Sequence, residues 1–171
     1  MAVIQNVQLF WLNCNPEKPR RFQNKASAPA TWSLQFRVAD KKTADSYAKD
    51  FGFRFTPVED DGKIVYRTSI SAYAFAAGPD GEEDPNRPNR PIRVIGADGR
   101  DIDPDTVGNG SIGNISFYVR DDKSSRSLRG VQVTTWKVFK PRDAEDEFDT
   151  SGEMTIIEDN TAEEDSVDDL F

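Results

Sequence analysis

Histidine is absent from this chain of 171 residues, and cysteine occurs once, at Cys14. The first absence removes the commonest general base and the commonest metal ligand. The second excludes an intrachain disulfide and fits a reducing cytoplasm. No run of 18 apolar residues occurs, so no membrane-spanning helix is expected. The opening MAVIQNVQLFW lacks a basic segment and a small-residue cleavage site, which argues against a signal peptide. Hydrophobic residues make up 36% and charged residues 30%. That is enough apolar material for one compact core with an appendage, not for two cores.

The formal net charge of −8 argues against nucleic acid until its distribution is read. From Asp143 to Phe171 there are 13 acidic and no basic residues, so residues 1–142 carry +5 and the remainder −13. A basic body with an acidic interaction tail is one reading of that asymmetry. A solvated surface with a solubilising tail is the other.

Residues 3–12 (VIQNVQLFWL) read as a first strand, followed by a basic loop over 13–31. In 32–38 (WSLQFRV), Trp32, Leu34, Phe36 and Val38 alternate with polar residues, as in a half-buried strand. Asp40 suits a helix N-cap. Ala44, Tyr47, Ala48 and Phe51 form one apolar stripe, and Gly52 stops the helix. A helix of that length can plug one end of a barrel. Residues 53–58 read as an edge strand because of Pro57. EDDGK (59–63) reads as a turn and 64–75 as a long strand. The segment 76–91 reads as a long loop, with Pro85, Pro88 and Pro91 at polyproline II spacing. Short strands follow at 91–95, 114–120 and 131–140, the last changing phase, as at a bulge, around Thr134–Thr135. Beyond Pro141, low hydrophobicity with high charge predicts disorder. The expected fold is mainly β. It is an OB-fold, a five-stranded Greek-key-type barrel with extra strands and one helix, over residues 1–142, with an acidic tail over 143–171. A plain β-sandwich is the alternative.

Three motifs invite chemistry and fail on context. GNGSIG (108–113) satisfies G-x-G-x-x-G but precedes a strand rather than a helix, so no dinucleotide site is expected. Asp98, Asp101, Asp103 and Asp105 resemble a calcium loop, but Thr106 and Ile112 stand where the turn glycine and bidentate glutamate belong. They read as turn formers. The pairs Asp60–Asp61 and Glu82–Glu83 have no histidine or cysteine partner. Hence no enzyme, cofactor or metal is expected.

Aromatic and basic residues carry the signal. A single-strand binder needs faces for bases to stack on and cations along the backbone. Arg37, Arg67, Arg93 and Arg120 each lie on the non-core face of a different strand, which suggests one shared groove. Tyr73 and Phe75 share a face with Arg67, and Tyr118 with Arg120. Phe10 and Trp11 are adjacent and point opposite ways, which makes Trp11 a candidate. Arg20, Arg21 and Lys25 in the first loop, Arg54, and Lys123, Arg126 and Arg129 in the segment 121–130 complete the candidate DNA-binding set. Trp32, Phe36 and Phe117 are assigned to the core. At the C-terminus an acidic run closes on two apolar residues. Asp165, Asp168, Asp169, Leu170 and Phe171 form a docking peptide whose apolar end suits a pocket with a basic rim.

These features together resemble the bacteriophage single-stranded DNA-binding proteins of the OB-fold class, whose long acidic tail ends in phenylalanine. The residues that carry the resemblance are Trp32–Gly52, PIRVIGADGRDIDPDTVGNGSIGNISFYV (91–119), the strand after Arg129-Gly130, and the end Asp168-Asp169-Leu170-Phe171. The resemblance implies non-sequence-specific binding of single-stranded DNA in phage DNA replication, recombination and repair, in the cytoplasm of the bacterial host. It implies that the tail contacts replication proteins such as polymerase, helicase or primase and competes with DNA for the groove. Similar proteins often dimerise, so a homodimer is an expectation. Two other readings stand beside it. One is a protein-interaction or virion structural protein. The other is a DNA-mimic inhibitor without DNA affinity.

Overall fold

The computed structural model describes residues 1–139. The acidic segment 143–171, with Asp165, Asp168, Asp169, Leu170 and Phe171, lies outside the described residues. The described residues form nine strands and one α-helix: β1 (Ala2–Asn13), β2 (Thr31–Val38), α1 (Lys41–Phe51), β3 (Thr56–Asp60), β4 (Lys63–Tyr73), β5 (Phe75–Ala77), β6 (Glu83–Pro88), β7 (Arg93–Gly96), β8 (Ser111–Val119) and β9 (Arg126–Thr135).

Seven strands form one sheet in the order β3-β4-β2-β1-β8-β9-β7. Within it, β8-β1-β2-β4 is a Greek key: three antiparallel neighbours, and a fourth strand that returns to lie beside the first. β4 and β9 then meet and curl the sheet closed. The result is the OB-type barrel of five strands, with β3 and β7 added at the edges. β7 runs parallel to β9; every other pairing is antiparallel.

The alternation read from the sequence sets the inside. Trp32, Leu34 and Phe36 of β2, Ile70 and Ala72 of β4, Ile115 and Phe117 of β8, and Leu128 and Val131 of β9 are all buried. Phe53 and Phe55 pack edge-to-face on Phe36 at 5.2 and 5.9 Å. Truncating a phenylalanine as enclosed as Phe36 costs about 3–5 kcal/mol.

Helix α1 closes one end of the barrel. Asp40 accepts from the Thr43 N–H at 2.7 Å, and Gly52 ends the helix at φ +80°. The stripe faces inward, and the Phe51 ring meets Phe117 at 5.2 Å. Asp61 and Gly62 (φ +51° and +78°) make the two-residue turn between β3 and β4, of the kind whose twist matches a hairpin. Pro57 sits in edge strand β3, where a missing N–H leaves no ladder bond unmade.

Three expectations need correction. Residues 76–91 are not one long loop: β5 and β6 form a hairpin of their own. It is pinned from a distance, because the Glu83 carboxylate accepts from the Ala30 N–H at 2.9 Å and from Arg21 at 2.8 Å. β8 begins at Ser111, three residues early. β9 runs Arg126–Thr135, both beginning and ending five residues early, and its start is set because Arg126–Leu128 pair with Phe117–Val119. The phase change at Thr134–Thr135 is a bulge: Ile112 faces Thr135 and Gly113 faces Val133, leaving Thr134 over.

Candidate nucleic-acid interface

The expected single groove is two surfaces. The first is a cleft of about 740 Å³ on the outside of β7, β9 and β8. Strand pairing assembles it: Arg93 of β7 faces Gly130 of β9, Gln132 faces Asn114 of β8, and Tyr118 faces Ser127. A second bulge supplies its central contact. Ser116 pairs with Gly130 and Phe117 with Leu128, which leaves Arg129 as the extra residue. Freed from the alternation, its guanidinium lies 4.7 Å from the centroid of the Tyr118 ring. Its Nε is buried with no acceptor among the described residues. Tyr118 is 46% exposed. Arg90 completes the basic wall, and no carboxylate lines the cleft among the described residues. Arg93 does meet Asp101 at 3.3 Å, but both side chains are mostly in solvent, where such a pair is weak.

The second surface is the outer face of β1, β2 and β4. Arg37 faces Arg67 across the sheet, Gln35 faces Ser69, Ser33 faces Ser71, and Thr31 faces Tyr73. Phe10 of β1 faces Gln35. The Arg37 guanidinium stacks 3.9 Å above the Phe10 ring, and its Nε donates to Gln35 Oε1 at 3.1 Å. Burial lowers the pKa of Arg37 and the neighbouring Arg67 lowers it further, against the field of Asp60. Tyr73 is 63% exposed at the far end. Trp11 is half-buried at the β1 bulge with φ +52°, its N–H donating to Asn109 Oδ1 at 2.8 Å. Trp11 Nε1 and Gln35 Nε2 are buried donors without acceptors among the described residues.

Other candidates are placed elsewhere by the fold. Arg126 Nη1 donates to the carbonyls of Gly52 (2.9 Å), Lys123 (3.2 Å) and Phe51 (3.3 Å). Lys123 Nζ donates to the Lys49 carbonyl at 3.0 Å. These two cations cap the C-terminus of α1, where carbonyls lack partners and the helix dipole favours positive charge. Burial, with Arg54 nearby, lowers the pKa of Arg126. Arg21 is held by Glu83 and by the Ala28 carbonyl at 2.6 Å. Phe75 packs against the core, because the chain bends at Ala74 and ends the alternation it shared with Tyr73. Arg20 pairs through its backbone with Thr31. Lys25, Arg54 and Arg120 are exposed, Arg120 4.0 Å from Asp122.

Arg90, Asn114, Gln132 and Gln35 were missed. Extending the alternation of Tyr118 back along β8 would have found Asn114. Arg90 lies between β6 and β7, outside any strand, where the three-residue proline spacing names no face of the sheet. GNGSIG clasps β1, with Gly110 N–H donating to the Leu9 carbonyl at 2.9 Å. Asp98 and Asp103 accept from Arg100 and Asp105 N–H groups, as turn formers do. No helix among the described residues is long and apolar enough to cross a membrane.

No protein-family model matches the chain, and no curated protein matches its sequence. Among solved structures it is similar to gp2.5, a single-stranded DNA-binding protein encoded by bacteriophage T7. That match has 12% identity and a TM-score of 0.42, over 91% of this chain and 98% of that one. It is also similar to the single-stranded DNA-binding protein from bacteriophage Enc34. Identity there is 13%, with a TM-score of 0.44, over 86% of this chain and 89% of that one. A C-terminal truncation of the Enc34 protein gives 12% and 0.45, over 82% and 87%.

Proposed function

We propose that this protein binds single-stranded DNA without sequence specificity, with the β7–β9–β8 cleft as its principal contact. The observation that carries the reading is Arg129 stacked on a half-exposed Tyr118, in a cleft with Arg90 and Arg93 and, among the described residues, no carboxylate. Tyrosine offers a face on which any base stacks, and the arginines follow a phosphate backbone without reading sequence. Catalysis has no part in this reading.

Residues 143–171 are the second half of the proposal. They form an acidic segment separate from the body 1–142 and recruit replication proteins through Leu170 and Phe171. The setting that fits both halves is protection of phage DNA during replication, recombination and repair in a bacterial cytoplasm.

Titration with labelled oligo-dT at low salt, with unlabelled duplex as competitor, tests the first half. Binding that duplex fails to displace, falling by about 0.7 log unit per contacted phosphate for each tenfold rise in salt, is the expected result. Removing residues 143–171 is expected to tighten it, because a −13 segment is lost. Absence of binding by residues 1–142 as well as by the full chain overturns it. Met1 and Val3, exposed beside the cleft, favour a protein occupant as the competing reading. That reading predicts cleft variants with unchanged DNA affinity.

A further inference from the structure

We infer that the cleft prefers thymine at one position, with Gln132 and Ile95 as the specificity-determining residues and Asn114 as the residue that positions Gln132. The inference rests on the cleft being the DNA site, and it names the base that one part of that site takes.

A relay of hydrogen bonds fixes the amides. The Asn6 N–H donates to Asn114 Oδ1 at 3.1 Å, and Asn114 Nδ2 donates to Gln132 Oε1 at 2.9 Å. A side-chain amide has one end that accepts and one that donates, and either can point either way. A backbone N–H can only donate. It therefore decides which end of Asn114 is oxygen, and Asn114 decides which end of Gln132 it meets. Gln132 Nε2 is the end left over, and it donates to nothing among the described residues. Unlike Arg129 Nε, it is not enclosed by protein.

The rest of the cleft makes the same demand. Arginine side chains hold no acceptor, so Arg90, Arg93 and Arg129 only donate. Among the described residues, the hydroxyls of Ser116 and Tyr118 are the only uncommitted side-chain oxygens of the cleft. A base that brings a carbonyl oxygen is matched there. One that brings an amino group meets other donors.

Ile95 narrows the choice. It faces Gln132 from β7, on the side away from Asn114, and lines the same cleft half-buried. Thymine carries its O4 acceptor and its 5-methyl group side by side, whereas cytosine has an amino group in place of that oxygen. Uracil and guanine offer the oxygen without the methyl. Gln132 Nε2 and Ile95 thus match thymine on both counts, uracil on one and cytosine on neither.

Asn114 and Tyr118 stand four residues apart on β8, roughly 13 Å at about 3.3 Å per residue. The base at Gln132 is therefore further along the strand than the one stacked on Tyr118. A single contact of this kind biases the register of a strand and does not read a sequence. It also favours DNA over RNA, because RNA carries uracil.

The test titrates the full chain with oligo-dT, oligo-dU and oligo-dC of equal length. Oligo-dT is expected to bind tighter than oligo-dU by about three-fold, the order of one buried methyl group. Oligo-dU is expected to bind tighter than oligo-dC by about five-fold, the low end of what a base-edge contact supplies. A preference that came from stacking or strand flexibility would persist in every variant of the amide pair. Asn114→Asp keeps the acceptor for the Asn6 N–H but turns Gln132 round, because a carboxylate must take Gln132 Nε2. Gln132→Glu puts an acceptor where Nε2 was. Both add a charge that weakens all three oligonucleotides alike, so the readout is a ratio. The dU-to-dC ratio is expected to invert in both, and Ile95→Ala to bring dT and dU together. Equal binding of the three by the parent, or a dU-to-dC ratio that neither amide variant changes, overturns the inference. Inversion by Gln132→Glu alone overturns the positioning role of Asn114. If Tyr118→Ala weakens all three while the parent shows no preference, this inference fails and the cleft reading stands. If Tyr118→Ala weakens none, the cleft reading itself has failed.

Discussion

Arg129 holds its guanidinium 4.7 Å from the Tyr118 ring because a β-bulge removes it from the alternation of β9. In the proposed complex that ring is the stacking platform. Tyr118→Ala is expected to weaken binding of single-stranded DNA by ~1–3 kcal/mol, read as the Kd from fluorescence anisotropy. Tyr118→Phe keeps the face and most of the affinity. Because the side chain is half in solvent, the unfolding midpoint of either variant moves little.

Arg126 is expected to act on stability and not on DNA. Its loss leaves the carbonyls of Phe51 and Gly52 without their charged donor. Hydrogen bonds to charged groups contribute about 1.5–3 kcal/mol, so Arg126→Ala lowers the unfolding free energy by that order in a urea titration. The salt slope of DNA binding stays that of the parent. A slope shallower by about 0.7 would instead mark Arg126 as a phosphate contact.

Glu83 makes part of the stability depend on acid pH. The Ala30 N–H, then Arg21, hold its carboxyl below the ordinary glutamate range. A carboxyl lowered in the folded state binds fewer protons there than in the unfolded chain. Its contribution is therefore complete above the unfolded value, about 4.3, and is lost as pH falls through the lower folded value. Glu83→Gln should flatten the stability–pH curve in that acid window and cost a fixed amount at neutral pH. Denaturant midpoints measured from about pH 3, roughly one unit below that value, up to neutral pH read both.

Cys14 should be silent in the native state. The thiol is fully buried against the Ser33 carbonyl, and burial pushes its pKa far up, so the reactive thiolate is absent. Labelling by a thiol reagent is expected to follow global unfolding across a denaturant series. Labelling well before the unfolding transition would reveal local opening of the end of β1.

Much of the barrel was legible. Trp32, Phe36 and Phe117 are core because alternation at period two decides inside from outside without any knowledge of neighbours. Asp40 and Gly52 delimit α1 because a cap is a contact within a few residues, written where it acts. The β5–β6 hairpin was hidden because Glu83 is fixed by Ala30, 53 residues away, and the local prolines point elsewhere.

The candidate site divides along the same line. Sequence alone determined a mainly β body, barrel or sandwich, with arginines and tyrosines on outward faces, and a segment from Asp143 onward with 13 acidic and no basic residues. It could not determine which of those arginines meet. Arg126 and Arg129 stand three apart in one basic segment, yet one caps a helix and the other stacks on Tyr118. Arg37 and Arg93 read alike as outward residues, yet they lie on two different surfaces. Side-chain direction is a property of the strand itself, whereas neighbours are set by strand order, register and bulges, which exist only once distant segments have paired.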